Sequence, residues 1–158
     1  MPHAVSGKFS EIIYLRLDKD QDLFEAIKQA ARDYDIKTGV VIDITGGLTK
    51  ARFQKFASKG DHAKMEIVEI KGPLESSGHG YIGMTAGSDE PYVHVHVVAT
   101  TADETICGHL LPGTFVRSHM DVTHFTIILG KVEGVSLTKS SKEDADGKKR
   151  VYHELKPA

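Results

Sequence analysis

Three histidines, His94, His96 and His109, have the residue type and the spacing of a metal site. His94 and His96 lie in Tyr92–Val98, a run of β-branched and aromatic residues that predicts a strand. Side chains alternate across a strand, so the two imidazoles share one of its faces. The same spacing is also typical of a solvent-facing strand in which each histidine makes only hydrogen bonds.

The third histidine depends on the turn that follows. A four-residue loop, Thr101–Glu104, predicts a hairpin in which His109 lies opposite His96. Cross-strand partners on one face have Cβ atoms about 4.5–5.5 Å apart, so three imidazoles would converge with one coordination position left open. That arrangement favours a divalent metal, above all zinc. A loop of odd length would move His109 out of register and remove the site.

The composition predicts one soluble domain without a strong charge. Its 158 residues are 40% hydrophobic and 27% charged, enough for a single core. Twenty basic and 22 acidic residues give a net charge of −2. Nucleic-acid-binding domains usually carry an excess of basic residues, and this chain has none. One cysteine excludes an internal disulfide, and no apolar leader or membrane-length segment occurs. We therefore expect a cytoplasmic protein with no membrane partner.

One helix and many strands would position these residues. Residues 11–17 predict a first strand, and residues 23–34 predict an amphipathic helix of about four turns with Asp20 as N-cap. Strand 38–45 follows, which suggests a crossover or a helix laid over one sheet face, and Gly46-Gly47 is interpreted as a turn. Further strands are predicted at 49–56, 65–70, 77–84, 92–100, 106–111 and 125–132, with a final hairpin pairing 135–139 and 150–155 across a charged, solvated loop. The fold class is α+β, with one long helix packed on a twisted, mainly antiparallel sheet.

Three segments have more distinctive sequences: IKGPLE (70–75), PYVHVHVV (91–98) and GHLLPGT (108–114). Together with Asp22-Leu23 at the helix start, they resemble the PPC domain, named for "plants and prokaryotes conserved". The resemblance spans roughly residues 10–133, and residues 134–158 would be a C-terminal hairpin extension of the same domain.

This resemblance implies a homotrimer and a fold similar to that of acetolactate decarboxylase, whose zinc is held by a His-x-His strand and a third histidine. Carried over by position, the ligands are again His94, His96 and His109. Plant members bind DNA beside an AT-hook, but this chain has no Arg-Gly-Arg core. A DNA-binding or regulatory module is therefore the alternative function, and a structural trimer with a vestigial metal is a third.

Other residues near the trio in sequence are candidates for supporting roles. Arg117 could bind a substrate carboxylate or form only a surface salt bridge. His79 could bind substrate, act as acid or base, or be an ordinary strand histidine. Cys107, on the face of His109, is either a fourth ligand or a small buried residue. His119 and His124 are assigned no role.

The sequence thus predicts a zinc-binding PPC-domain protein, and it leaves open whether the chain is an enzyme. A metal-dependent lyase or hydrolase acting on a small carbonyl or carboxylate substrate would fit the site. Imidazole must be neutral to bind a metal, and its unperturbed pKa is about 6.5. We therefore expect metal affinity to fall as the pH drops through about 6 to 5.

Overall fold

The structure, a computed structural model, describes residues 3–60, 64–117, 124–143 and 145–158. Within these ranges it has one helix, α1 (Leu23–Asp33), and nine strands. The strands are β1 (Lys8–Arg16), β2 (Gly39–Phe56), β3 (Met65–Thr85), β4 (Pro91–Thr100), β5 (Thr105–Leu110), β6 (Phe115–Val116), β7 (Thr126–Glu133), β8 (Val135–Glu143) and β9 (Lys149–Pro157).

All nine strands belong to one sheet of order β1-β7-β2-β5-β4-β3-β8-β9, with β6 paired to β2. The pairings are antiparallel except between β3 and β8, which confirms the predicted α+β class. β7 pairs antiparallel with both β1 and β2, so these two strands run parallel with β7 between them. No helix of the described ranges has the length and apolar character needed to span a membrane.

Helix α1 buries Leu23, Ile27, Ala30 and Ala31 against the sheet, as its apolar spacing predicts. It is 11 residues long, about three turns rather than four. The prediction that Asp20 caps it is wrong. Asp22 has the extended backbone of an N-cap, and its Oδ1 accepts hydrogen bonds from the N–H groups of Phe24 and Glu25 at 2.9 and 3.2 Å.

The predicted turn at Gly46-Gly47 is also wrong, because β2 runs through both residues. Gly46 has φ of 151°, and a Cβ there would lie 2.5 Å from Cδ2 of Phe125. A glycine is required by that close approach rather than by a change of chain direction. β3 is similarly continuous through residues 70–77, so β2 and β3 form one long hairpin where shorter strands are predicted.

Strand β4 separates the core from the candidate site. Val93, Val95, Val97 and Ala99 are buried on one of its faces, so His94 and His96 lie on the other. The final hairpin is confirmed, since β8 pairs with β9 from Val135 opposite Pro157 to Glu143 opposite Lys149. Both strands extend into the segment predicted as a charged loop.

Candidate metal centre

The β4–β5 hairpin has the predicted register. His96 lies opposite His109, and Thr100 lies opposite Thr105 at the end of the ladder. The loop Thr101–Glu104 is closed by the N–H of Thr101, which donates to the carbonyl of Glu104 at 2.9 Å. An even-length loop therefore holds the third histidine on the face of the other two.

The three imidazoles converge. One ligating nitrogen from each of His94, His96 and His109 lies within 4.8 Å of the other two. Nitrogens bound to one zinc ion at about 2.0–2.1 Å lie about 3.4 Å apart in a tetrahedron, so small side-chain rotations suffice for the trio to fit the metal. His94 and His109 are half-buried and His96 is exposed, which leaves the centre accessible from solvent.

Two tyrosines hold the ring of His94. The hydroxyl of Tyr92 makes a 2.9 Å hydrogen bond with Nδ1 of His94. The ring of Tyr81 stacks on the same imidazole, with centroids 4.8 Å apart and planes 7° apart. Since Nδ1 is engaged, Nε2 is the atom of His94 that a metal can reach, as is usual where a ligating histidine has an outer hydrogen-bond partner.

The electrostatics of the centre favour neutral imidazoles. Burial lowers the pKa of His94 to about 4, and repulsion from His109 and His96 adds to the effect. The pKa of His109 is lowered for the same main reason, burial. Burial also raises the pKa of Tyr92 to about 12, so its hydroxyl keeps its proton. At neutral pH the half-buried histidines are thus in the form that binds a metal.

A pocket of about 520 Å³ opens beside the trio, a size typical of small-molecule sites. Phe56 and Met65, both exposed large hydrophobic residues, form an apolar wall. Lys55 on the same rim is ion-paired with Glu66 at 2.6 Å. The full lining is Gln54, Lys55, Phe56, Met65, His94, His96, Cys107, Gly108 and His109.

The structure places the other candidates at different distances from the trio. Cys107 lines the pocket and is exposed, so the alternative that it is a small buried residue is wrong. The described group of convergent ligand atoms contains the three histidines without it. His79 lies opposite His96 across the β3–β4 ladder and is exposed on the same face. Their proposed chemical roles stay predictions.

Arg117 is not brought to the trio. Its N–H donates to the carbonyl of Gly47 at 2.8 Å. Gly47 lies seven residues along β2 from Gln54, which pairs with His109, and seven strand residues span about 20 Å. His119 lies outside the described residues, and His124 is exposed.

Four residues near the centre were missed by sequence reasoning. Tyr92 could have been predicted, because alternate residues of a strand share a face and Tyr92 is two residues before His94 on β4. Tyr81 lies directly opposite His94 on β3, and Lys139 and His153 come from β8 and β9. Tyr81 is brought to His94 by the β3–β4 hairpin of consecutive strands, whereas no local pattern gives the pairing of β8 with β3 that brings Lys139 and His153.

The fold and the site together define a class of small α+β proteins in which a His-x-His strand and the next strand present three histidines on the outer face of a twisted sheet. The model of the Plants and Prokaryotes Conserved (PCC) domain matches residues 4–128. The chain belongs to this family, which confirms the resemblance drawn from its sequence.

Solved structures show the same fold. The chain is similar to a plant- and prokaryote-conserved protein from Pyrococcus horikoshii, with a TM-score of 0.69, 20% identity and coverage of 98% of this chain and 99% of the other. It is similar to the metal-containing protein AF0104 from Archaeoglobus fulgidus, with a TM-score of 0.67, 19% identity and coverage of 92% and 95%. It is also similar to a candidate DNA-binding protein from Bacteroides thetaiotaomicron, with a TM-score of 0.66, 14% identity and coverage of 94% of this chain and 96% of the other.

Two further likenesses are to longer proteins, of which this chain matches only a part. Alpha-acetolactate decarboxylase from Bacillus subtilis strain 168 has a TM-score of 0.55 at 10% identity, covering 88% of this chain and 59% of the other, which confirms the expected likeness of fold. The bifunctional protein GlmU of Synechococcus sp. (strain JA-2-3B'a(2-13)) is 28% identical over 116 residues, 71% of this chain. This chain spans 16% of the length of that relative.

Proposed function

We propose that this protein binds one divalent metal ion, zinc, through His94, His96 and His109. The observation that carries the proposal is the convergence of one nitrogen from each imidazole within 4.8 Å, on a strand face turned away from the core. Three neutral imidazoles are a ligand set that suits zinc. The hydrogen bond between Nδ1 of His94 and the hydroxyl of Tyr92 supplies the outer partner that such ligands usually have.

A second line of support comes from the comparisons. The Archaeoglobus fulgidus protein of similar fold is named as containing a metal. The sequence resemblance to acetolactate decarboxylase implies the same three histidines as ligands. The named relative and this resemblance both favour a metal at this place in the fold.

The site also fits an enzyme acting on a small carbonyl or carboxylate substrate. A bound zinc ion supplies Lewis acidity, or lowers the pKa of a water molecule, at a position open to the pocket. The apolar wall of Phe56 and Met65 would bind the carbon skeleton, and the side-chain amide of Gln54 offers a hydrogen-bond partner. Tyr92 would keep the ring of His94 fixed during turnover.

Elemental analysis of untagged protein tests the metal directly. We expect about one zinc ion per chain in the wild type and almost none in His96→Ala, because two imidazoles are a weak zinc site. His79→Ala is the matched control, since this exposed histidine lies directly opposite His96 without belonging to the trio. Full zinc content in His96→Ala, with an unchanged circular-dichroism spectrum, contradicts the proposal, and so does a wild type that takes up no zinc.

DNA binding is the alternative function, and the name of the Bacteroides thetaiotaomicron neighbour is what favours it. The net charge of −2 and the missing Arg-Gly-Arg core oppose it. A gel-shift series with increasing salt separates the two functions, because phosphate contacts by a basic surface weaken steeply with salt. Tight, salt-sensitive binding by the metal-free protein would favour the alternative.

We also propose that the chain assembles as a homotrimer, as the family resemblance implies. Phe9, Ile12 and Ile42 are exposed on the outer side of β1 and β2. Phe9 and Ile42 both lie over Gly130, which pairs with Ile12, so the three form one apolar patch suited to an interface. Sedimentation equilibrium should give three chains per particle and a smaller mass for Ile42→Glu, and a monomeric wild type contradicts this. The cytoplasmic location stays a prediction.

A further inference from the structure

The nine-stranded sheet has an open edge at each end. Within the described residues, β1 pairs only with β7, and β9 pairs only with β8. After a bulge between Phe9 and Glu11, β1 keeps an unbroken register with β7 from Glu11 to Arg16. The other side of such a strand presents a row of backbone N–H and C=O groups that another strand can pair with, so folded proteins usually cover or block it.

A groove of about 550 Å³ lies between β1 and α1. Glu25, Gln29 and Asp33 line it, and their spacing of four residues places them on one face of the helix. The charged residues of the lining are Arg16, Asp22, Glu25 and Asp33, so negative charge is in excess. The ion pairs of the described residues include neither Glu25 nor Asp33. The groove therefore favours a cationic strand over a neutral or acidic one.

Part of the C-terminal hairpin pairs with no other strand of the described residues. β8 pairs with β3 only at Thr138 and Lys139, so residues 140–143 and 145–152 lie beyond that pairing. We call this part the arm. A two-stranded hairpin by itself is marginally stable in water. Val151 and Tyr152, at 57% and 44% exposure, are large hydrophobic side chains that the arm leaves uncovered. The arm therefore has both an open edge and apolar surface to bury against another surface.

The open part of β9 matches the open part of β1 in length. The imidazole of His3 makes a 2.7 Å hydrogen bond with the carbonyl of Leu155, which leaves Lys149–Glu154 as the open part of β9. That stretch has the same number of residues as Glu11–Arg16, the regular part of β1. The two stretches can therefore pair along their whole length.

Both faces of the open part of β9 suit the groove. Lys149 and Val151 share one face, and Arg150 and Tyr152 share the other. A strand added to β1 turns one face towards α1 and the other towards the outer side of the sheet. In either orientation, a cation comes to the acids of α1, and an apolar side chain comes to the exposed patch of β1 and β2 described above.

We propose that the arm of one copy of this chain docks in the groove of the next copy and adds β9 to the edge of β1. The contact joins two different surfaces, so it is head to tail and closes into a ring when the rotation allows it. A ring of three needs unlike surfaces of this kind, because contacts between identical patches join chains in pairs. The two open ends of the sheet supply them. The inference rests on the homotrimer proposed above and assigns the surfaces that hold it together.

Sedimentation equilibrium of an arm-shortened chain tests the proposal. In this variant Asn-Gly replaces residues 140–152 and joins Lys139 to His153, which are cross-strand partners, through a two-residue turn. The pairing of β8 with β3 then remains. We expect a trimer for the wild type and a monomer for the variant, at the same micromolar concentration and with the circular-dichroism spectrum of a folded chain. A variant that stays trimeric overturns the docking of the arm and leaves the homotrimer standing, whereas a monomeric wild type overturns both.

Charge reversal tests the same contact without shortening the chain. Asp33→Lys puts a cation in the groove, near the C-terminus of α1, where it does not oppose the helix dipole. We expect about a tenfold rise in the concentration at which half of the trimers dissociate at low salt, because exposed charge contacts are individually weak but recur around the ring. Adding Lys149→Glu and Arg150→Glu to the same chain should restore most of the affinity. Asp103→Lys, in the exposed loop between β4 and β5, is the control. Equal dissociation of the Asp33→Lys and Asp103→Lys trimers, or no recovery in the combined variant, overturns the docking.

Discussion

Replacing Tyr92 with phenylalanine isolates the hydrogen bond that holds the first ligand. The substitution removes only the hydroxyl that lies 2.9 Å from Nδ1 of His94. The ring stays, and with it the contact to the ammonium of Lys139. The change therefore tests orientation of the imidazole rather than packing around it.

The loss of zinc affinity expected for Tyr92→Phe depends on the contacts that still hold His94. Removing an outer hydrogen-bond partner of a ligating histidine usually costs about 10–100-fold in metal affinity. The stacked ring of Tyr81 still holds His94 in Tyr92→Phe, so we expect the lower end, about tenfold or about 1.4 kcal/mol. Because burial raises the pKa of Tyr92 to about 12, no charge is lost, and the effect should be equally large at pH values from about 7 to 9.

Competition with a fluorescent zinc indicator measures the affinity. Tyr81→Phe is the matched control, because its hydroxyl bonds His153 rather than a member of the trio. We expect the control to retain nearly the affinity of the wild type. Zinc affinity of Tyr92→Phe equal to that of the wild type would refute the reasoning, and so would an equal loss in both variants.

Three further perturbations test the fold around the centre. Asp22→Ala removes the cap of α1 and the acceptor of a 2.6 Å bond from the N–H of Gly113, and should lower the free energy of unfolding in urea by about 2–3 kcal/mol. Gly46→Ala should lower it by about 1–3 kcal/mol, and clearly more than Gly60→Ala, which also has a positive φ but no neighbour within 4 Å. In metal-free protein, burial lowers the pKa of His94 to about 4. Between about pH 6.5 and 4, His94 is therefore protonated in the unfolded chain and neutral in the native state. The free energy of unfolding should therefore be unaffected by His94 at higher pH and fall as the pH drops from about 6.5 towards 4, and a urea series in which His94→Gln keeps the full decline contradicts this.

The same lowered pKa moves the pH range expected for metal release to lower values. An ordinary imidazole would lose its metal to protons near pH 6 to 5, but burial moves proton uptake by His94 to about pH 4. His109 is shifted in the same direction. Zinc retention should therefore extend to lower pH than the sequence alone indicates. The sequence gives only the ordinary pKa of an imidazole, because it does not show how deeply the rings of His94 and His109 are buried.

The trio was predictable because local rules determine it. Alternation on β4 places His94 and His96 on one face, and an even loop at Thr101–Glu104 brings His109 to the same face. The α+β class followed from a single amphipathic segment among many strand-like runs. These inferences need only the periodicity of the chain and the geometry of a hairpin.

The errors arose where distant segments decide local structure. The glycine pair predicts a turn at Gly46, but this residue instead makes room for the ring of Phe125, which is far away in sequence. Asp20 is predicted as the cap, but Asp22 takes that position, and the hydrogen bond from the distant N–H of Gly113 helps to hold the Asp22 carboxylate there. Lys139 could not be placed near the centre, because the parallel pairing of β8 with β3 has no short-range signal.

The position of the three proposed ligands on β4 and β5 has a consequence for how the protein would exchange a bound metal. The other face of β4 is packed into the core, so the backbone that carries the ligands is set before any ion arrives. In a zinc finger, folding and metal binding are one process, and a chelator unfolds the domain. Here a chelator should remove the ion and leave the domain folded. Occupancy could then follow the free zinc concentration around the protein, as in a reversible sensor, without exposing the chain to unfolding at each cycle.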